Sequence, residues 1–204
     1  LHRVSRLHLA IGVMAYVTSP LWLLFLLLSA AQAWELTYGE PVYFTAGWPF
    51  PTFPVSVGME ATLLLAATLG LLFLPRLMGL ALALIDGPRR RNLGGTLRLL
   101  ASAVIETFYS ALLAPIMMLF HTRFVTSILL GAAIEWNPQK RNANTGSLAA
   151  AVRSFGWVTA IGITATALIG FVTPMLLLWL SPVLAGLCLA IPLVLLSGRE
   201  DAAA

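Results

Sequence analysis

The sequence has little charge and almost no cysteine, and both scarcities exclude whole classes of protein. Only 10% of its 204 residues are charged, whereas soluble domains carry about 25%. A soluble chain of this length could not bury so many apolar side chains, since 59% of the residues are hydrophobic. The single cysteine, Cys188, lies in an apolar run, so a disulfide within the chain is excluded and helix packing is its expected role. These features predict an integral membrane protein.

The sequence also lacks the spacings that catalysis and metal binding usually require. His2, His8 and His121 are far apart and show no metal-ligand spacing. No two acidic residues form a close motif within an apolar run, and the glycines form no phosphate-binding fingerprint. The net charge of +4 comes from basic residues at the ends of apolar runs, which is a topology signal rather than a nucleic-acid footprint. We therefore expect no catalytic centre, no cofactor or metal site and no nucleic-acid partner in this chain.

Four apolar stretches are long enough to cross a bilayer, which takes about 20 helical residues. They cover about 7–33, 57–75, 150–172 and 174–197. The segment between the first two contains Trp34, four prolines and no Lys or Arg, so it is predicted to be a loop on the outer membrane surface. Its aromatic residues are candidates for membrane anchors or for stacking on sugar rings. The predicted fold is an all-α integral membrane helical bundle in one transmembrane domain, 1–204.

The twelve Lys and Arg residues indicate how the segment 96–120 is placed. If the four stretches cross the membrane and 96–120 does not, all twelve lie on the cytoplasmic side. If 96–120 crosses, Arg123, Lys140, Arg141 and Arg153 move outside, and the C-terminus does too. The positive-inside rule favours the first topology, with a cytoplasmic C-terminus, an interfacial helix over about 96–120 that is broken at Pro115, and a cytoplasmic loop over 121–147.

The side-chain pattern of 96–120 agrees with an amphipathic helix. Four polar residues recur every four positions, namely Arg98, Ser102, Glu106 and Ser110. On a helix they form one stripe, with Tyr109 beside it. A helix lying in the inner interface fits this pattern, as does a spanning helix whose stripe lines a polar cavity, and we favour the first. Glu106 is expected to pair with Arg98 or with a lipid headgroup.

Several unusual strings carry a family resemblance. In chain order they are SRLHLAIGVMAYVTSPLWLLFLLLS, LLFLPRL, LLAPIMMLFHTRFV and WNPQKR. They resemble the C-terminal membrane region of the inner-membrane glucosyltransferases that make osmoregulated periplasmic glucans, over nearly all of the chain. Those enzymes belong to glycosyltransferase family 2 and are similar in plan to cellulose synthase, which has two spans, an interface helix, a gating loop and two more spans.

The resemblance implies a bacterial inner-membrane hexosyltransferase that polymerises glucose from UDP-glucose into β-1,2-linked glucan and exports it. It implies a divalent metal, Mg or Mn, and a GT-A domain whose Asp-x-Asp and Gln-x-x-Arg-Trp motifs are expected before Leu1. The implied partners are the lipid bilayer, the growing β-glucan chain, the cytoplasmic GT-A domain of the same protein, and an acyl carrier protein or a periplasmic glucan-processing protein. The alternative from another class is a non-enzymatic membrane transporter or channel subunit.

Candidate site residues fall into two groups. The gating candidates include Phe124, Val125 and Thr126 in RFVTSI, which is one residue shorter than the cellulose synthase motif and lacks its lysine, so helix packing is the alternative role. The other candidates near that position, for contact with substrate, UDP phosphates or lipid headgroups, are His121, Arg123, Trp136, Lys140 and Arg141. The channel-lining candidates, which offer aromatic faces or polar groups to pyranose rings, are Tyr16, Trp22, Trp34, Ser102, Glu106 and Tyr109.

The predicted topology can be tested with one cysteine. In a Cys188→Ala background, Asn142→Cys should resist an impermeant thiol reagent applied to spheroplasts, because the loop 121–147 is predicted to be cytoplasmic. The same protein in permeabilised cells provides the positive control. Labelling from outside would instead mean that 96–120 spans the bilayer.

Overall fold

The computed structural model describes residues 3–39, 50, 58–132, 148–172 and 174–197, and this part of the chain is helical without any strand. The helices are α1 (Arg3–Tyr38), α2 (Gly58–Ile85), α3 (Gly87–Asn92), α4 (Thr96–Leu129), α5 (Leu148–Val172), α6 (Pro174–Cys188) and α7 (Ala190–Ser197). The all-α prediction is thereby confirmed. The predicted outer loop lies almost entirely outside the described residues.

Four of the described helices are long and apolar enough to cross a membrane, which makes the chain a multi-pass membrane protein. They are α1, α2, α4 and α5, and α6 with α7 forms a bent pair that would count as a fifth span. The predicted span 150–172 matches α5 to within two residues, and 7–33 lies within α1. α1 continues to Tyr38, so Trp34 lies on this helix and not in the predicted outer loop. The second predicted span ended at Pro75, but α2 continues through this proline to Ile85.

The last predicted span, 174–197, is not one helix. α6 and α7 meet at an angle of 56° after Cys188. Pro192 accounts for the break, since a proline has no N–H to donate to the carbonyl four residues earlier, here that of Cys188, and its ring clashes with that carbonyl. Leu189 and Leu193 keep helical hydrogen bonds on either side of the break, to Ala185 at 2.9 Å and to Leu189 at 3.0 Å.

α4 corrects two predictions. The helix is not broken at Pro115, and it runs through 121–129, where a loop was predicted. It ends instead at Leu129, and Gly131 terminates it with a φ of 76°, the left-handed conformation that glycine adopts easily. The Ala132 N–H donates to the Ser127 carbonyl at 2.9 Å and the Gly131 N–H to the Ile128 carbonyl at 3.0 Å, which is a Schellman termination. The interfacial placement of 96–120 stays a prediction, and 133–147 lies outside the described residues.

The helices cluster into two compact units, of which Leu1–Tyr38 with Tyr109–Ala204 forms the first and Gly39–Phe108 the second. The assignment of one transmembrane domain, 1–204, stays a prediction. In the first unit, α4, α5, α6 and α7 surround a core of buried apolar residues, namely Ile116, Leu119, Val158, Leu187, Ala190 and Leu193. Leu23 of α1 packs against this core.

Two glycines let three helices of the first unit approach closely. A Cβ atom on Gly186 of α6 would lie 2.6 Å from Cγ of Pro115 in α4. A Cβ atom on Gly162 of α5 would lie 2.8 Å from the backbone nitrogen of Cys188 in α6. Both distances are too short for a real side chain, so α6 packs against α4 and α5 through glycine surfaces, as is common between membrane helices. The Pro115 ring is buried at this contact, where Gly186 leaves room for it between α4 and α6.

One hydrogen bond marks a common end of α1 and α5. The Tyr38 hydroxyl, at the end of α1, donates to the Val172 carbonyl, at the end of α5, over 2.8 Å. The C-terminal ends of these helices therefore lie together, as expected if both run from the cytoplasmic to the outer side.

Gly186→Ala should destabilise the protein by about 1–3 kcal/mol, the usual range for overpacking a tight contact. The measurement is thermal or denaturant unfolding of the purified full-length protein in detergent. Gly12→Ala is the matched control, because no atom lies within 4 Å of a Cβ at Gly12, and it should change stability by less than about 1 kcal/mol, in the favourable direction. Equal effects of the two substitutions would contradict the close approach.

Candidate functional site

α1 and α4 bring together an aromatic and polar group that we name the His121 cluster, made of Tyr16, Ser19, His121 and Phe124. The Oγ of Ser19 lies 3.1 Å from Nδ1 of His121. The Tyr16 ring packs against the His121 ring at 4.9 Å between centroids and against the Phe124 ring at 5.7 Å. Helical spacing accounts for the arrangement, since Tyr16 and Ser19 are three residues apart on α1, as are His121 and Phe124 on α4.

A second aromatic group lies next along α4, where it meets the start of α5. The Phe120 ring lies 5.2 Å from the Phe155 ring and 5.3 Å from the Trp157 ring, edge-to-face in both cases. The guanidinium carbon of Arg123 lies 5.7 Å from the centre of the Trp157 ring, within the range of a cation–π interaction. The indole N–H of Trp157 donates to the Ser154 carbonyl at 3.1 Å, which fixes the orientation of the ring under the guanidinium.

The His121 cluster lies far from the end of α1 that Tyr38 marks. The α1 segment from Ser19 to Tyr38 is about 29 Å long at 1.5 Å per residue, close to the thickness of the hydrocarbon core. Trp34 and Tyr38 pack together at 4.8 Å, and such aromatic pairs favour the membrane–water interface. The cluster is therefore about one hydrocarbon thickness from that end, on the side where Arg6 lies.

The chemistry of the cluster favours binding over covalent catalysis. His121 has a hydroxyl partner, but no carboxylate of the described residues orients it, as a nucleophile–base pair would require. Tyr16 and Phe124 remain 46% and 41% exposed, so their rings are accessible to a ligand. Within the described ranges no three His, Cys, Asp or Glu side chains come together, so these residues do not form a metal site.

The candidates at and near the predicted gating motif do not all lie in one site. His121, Arg123 and Phe124 lie in the two aromatic groups, on a helix rather than on the predicted loop. Val125 is half-buried, and the Thr126 hydroxyl donates to the Thr122 carbonyl at 2.7 Å and to the Arg123 carbonyl at 3.0 Å. Three other candidates lie outside the described residues: Trp136, Lys140 and Arg141.

The channel-lining candidates are dispersed. Trp22 is exposed and packs edge-to-face on Phe25 at 5.6 Å, whereas Tyr109 packs on the core and donates its hydroxyl to the Leu193 carbonyl at 3.3 Å. Ser102 and Glu106 are exposed in the second unit, and Tyr16 and Trp34 make the ring contacts given above.

The expected pairing of Glu106 with Arg98 was wrong, and its contact with a lipid headgroup stays a prediction. Glu106 pairs with Arg76 of α2 at 3.1 Å and not with Arg98. Sequence spacing within α4 pointed to Arg98, which is two turns away, while the pairing with Arg76 depends on how α2 and α4 pack. Ser19 and Trp157 were also missed as site residues, since a helical pattern does not reveal which residue of another helix lies opposite.

Comparison with known proteins identifies the segment. The Glucans biosynthesis glucosyltransferase H of Rhodopseudomonas palustris (strain TIE-1) is 41% identical over 200 residues, 98% of this chain and 28% of that protein. The protein of the same name from Vibrio cholerae serotype O1 (strain ATCC 39541 / Classical Ogawa 395 / O395) is 41% identical over 198 residues, 95% of this chain and 27% of its own length. This chain is a homologue of one segment of glucans biosynthesis glucosyltransferase H.

The sequence identity is similar for glucosyltransferase H proteins of different bacteria. The one from Pseudomonas aeruginosa (strain LESB58) is 39% identical over 200 residues, 98% of this chain and 23% of that protein. The chain thus spans about a quarter of the length of the curated relatives it matches, which is consistent with the C-terminal membrane segment that the sequence strings suggested. No family model and no solved structure matches the chain.

The contact between α1 and α4 in this glucosyltransferase H homologue can be tested by cross-linking. In a Cys188→Ala background, Ser19→Cys with His121→Cys should be linked by a short bifunctional thiol reagent, because the two native side chains are in contact. Leu21→Cys with His121→Cys is the control, since Leu21 is 55% exposed and two positions further on, on nearly the opposite side of α1. Equal cross-linking yields from the two cysteine pairs would contradict the contact between Ser19 and His121.

Proposed function

We propose that this chain is the membrane and translocation part of a bacterial inner-membrane glucosyltransferase, which polymerises glucose from UDP-glucose into β-1,2-linked periplasmic glucan and exports it. The observation that carries the proposal is the identity of 39–41% with glucosyltransferase H proteins over 95–98% of the chain. The four apolar helices support a membrane role, and the C-terminus is proposed to be cytoplasmic.

The polymerising chemistry is proposed to reside in the remainder of the full-length protein, as a GT-A domain on the cytoplasmic side. UDP-glucose and a Mg or Mn ion would bind there, since the described residues of this chain offer no cluster of metal ligands. The contribution of this chain is then to receive the growing glucan and to guide it across the membrane. An acyl carrier protein and a periplasmic glucan-processing protein remain proposed partners.

The His121 cluster is proposed as the point where the glucan enters. A pyranose ring has apolar C–H faces and a rim of hydroxyl groups, so it needs aromatic rings beside hydrogen-bonding groups. Tyr16 and Phe124 supply exposed rings, and His121 and Arg123 supply polar groups within one turn of α4. The distance of about 29 Å along α1 to Tyr38 supports a placement at the cytoplasmic end, where a cytoplasmic domain would deliver its product.

Reconstituted vesicles provide the test. Full-length protein in proteoliposomes is supplied with radiolabelled UDP-glucose and Mg²⁺ outside, and glucan is measured before and after digestion with an external β-glucan hydrolase. For the wild type, part of the glucan should be protected inside the vesicles. Phe124→Ala and Arg123→Gln should lower the protected glucan about tenfold, the effect of losing ~1.4 kcal/mol of binding.

One control variant and two further outcomes test entry at the His121 cluster, translocation and glucosyltransferase activity separately. Leu21→Ala, on an exposed face of α1, should leave protected glucan unchanged. Glucan that is entirely accessible to the hydrolase would contradict translocation by this protein. If folded protein with an intact active site incorporates no labelled glucose into glucan, the result would contradict the glucosyltransferase proposal. It would favour the alternative, a transporter or channel subunit.

A further inference from the structure

The second unit contains an apolar cavity that the proposed function does not use. It has a volume of about 260 Å³ and lies between α2 and the first part of α4. Its apolar walls come from one face of each helix, at helical spacing: Phe73, Leu77, Leu80, Leu100, Val104 and Phe108. This volume is below the roughly 300–1,000 Å³ of pockets for drug-sized ligands, so it suits a narrow chain rather than a bulky molecule.

The walls offer almost no free polar group to a ligand. The Thr107 hydroxyl, although it belongs to the lining, donates to the Ala103 carbonyl at 2.6 Å and so is already satisfied. A sugar or a water cluster would find few partners in such a cavity, since each needs several hydrogen bonds. The occupant that fits is a hydrocarbon chain.

Arg76 is the exception in the lining. Its side chain is 31% exposed, and Nη2 lies 3.1 Å from a carboxylate oxygen of Glu106 and 3.5 Å from the Ala103 carbonyl. The Nη1 and Nε groups have no hydrogen-bond partner among the described residues. An arginine has five N–H donors, so this guanidinium can bind an anion while it keeps its contact with Glu106.

The charge of the surrounding segment favours an anionic ligand. Between positions 75 and 108 there are five arginines, namely Arg76, Arg89, Arg90, Arg91 and Arg98, against two acids, Asp86 and Glu106. Arg90 of α3 is held by the end of α2, since its Nη1 donates to the Leu84 carbonyl at 3.1 Å. A cationic segment that ends an apolar membrane helix attracts anionic lipid headgroups.

We propose that this cavity is a binding site for an anionic phospholipid, with one acyl chain between α2 and α4 and the phosphate on the guanidinium of Arg76. The apolar walls select a lipid over a soluble phosphate, and Arg76 selects an anionic headgroup over a zwitterionic one. The site lies wholly within the second unit and does not depend on the glucan-synthesising role.

Lipid retention on the purified full-length protein tests the proposal. The protein in detergent is incubated with phosphatidylglycerol or phosphatidylcholine of the same acyl chains, and bound lipid is counted by native mass spectrometry. Wild type should retain phosphatidylglycerol in preference to phosphatidylcholine. Arg76→Gln should lower phosphatidylglycerol retention about fivefold, which is the usual effect of one basic residue near an anionic lipid surface.

Two control variants separate lipid binding from other effects of the substitution. Glu106→Gln breaks the same ion pair but leaves Arg76 in place, so it should maintain or increase phosphatidylglycerol retention. Arg98→Gln removes an exposed charge of α4 that does not line the cavity, and it should have little effect. Equal loss with Arg76→Gln and Arg98→Gln would overturn the proposal, because charge alone would then explain retention.

The acyl chain requires a separate test. Phosphatidylglycerol with a photoreactive group in its acyl chain should cross-link to peptides that contain 73–80 or 100–108, and Ala103→Leu, which fills the cavity, should abolish this labelling. Labelling confined to other peptides would overturn the site. Displacement of the lipid by glycerol phosphate at equal concentration would also overturn it, since the ligand would then be a soluble phosphate.

Discussion

The close approach of helices at two glycines is the constraint on which the first unit depends. Inside a bilayer, lipid tails are as apolar as leucine, so helices gain little by hiding leucines from lipid and must associate through tight packing. Gly162 of α5 provides that packing against α6, and Gly186 of α6 provides it against α4. The position of α6 fixes where α4 lies, and α4 in turn carries His121, Arg123 and Phe124 to α1 and α5. The candidate site therefore depends on the close helix packing at Gly162 and Gly186.

Composition and hydropathy were enough to predict the fold class and where the apolar helices lie, but the predicted ends matched closely only for α5. Lipid exposure imposes a long apolar run on each span, and such runs are visible without any tertiary information. Whether each proline bends its helix could not be predicted in the same way. Pro115 lies within a continuous helix, whereas Pro192 accompanies a bend of 56° after Cys188. The presence of a proline alone therefore does not predict a bend, since α1, α2 and α6 also continue through one. Gly131, by contrast, was a local signal for the end of α4 that could have been used.

The candidate site shows the same division between local and tertiary information. His121 and Arg123 could be named because they interrupt an apolar run, and Phe124 could be named from the resemblance to a gating motif. Their partners Tyr16, Ser19 and Trp157 belong to helices more than 30 residues away in the chain, and their contacts depend on helix rotation. Glu106 illustrates the limit most clearly. Spacing along α4 favoured Arg98, and the packing of α2 against the start of α4 selects Arg76 instead.

α1 is a largely lipid-exposed helix that two polar contacts hold at well-separated points, Ser19 with His121 and Tyr38 with the Val172 carbonyl. An insertion or deletion in α1 between these two residues would disturb both contacts. One inserted residue would displace the far contact by about 1.5 Å and rotate it by about 100°, so both bonds could not be kept at once. The number of residues between Ser19 and Tyr38 thus fixes the register of α1 against α4 and α5, and substitutions there should be tolerated far better than insertions or deletions.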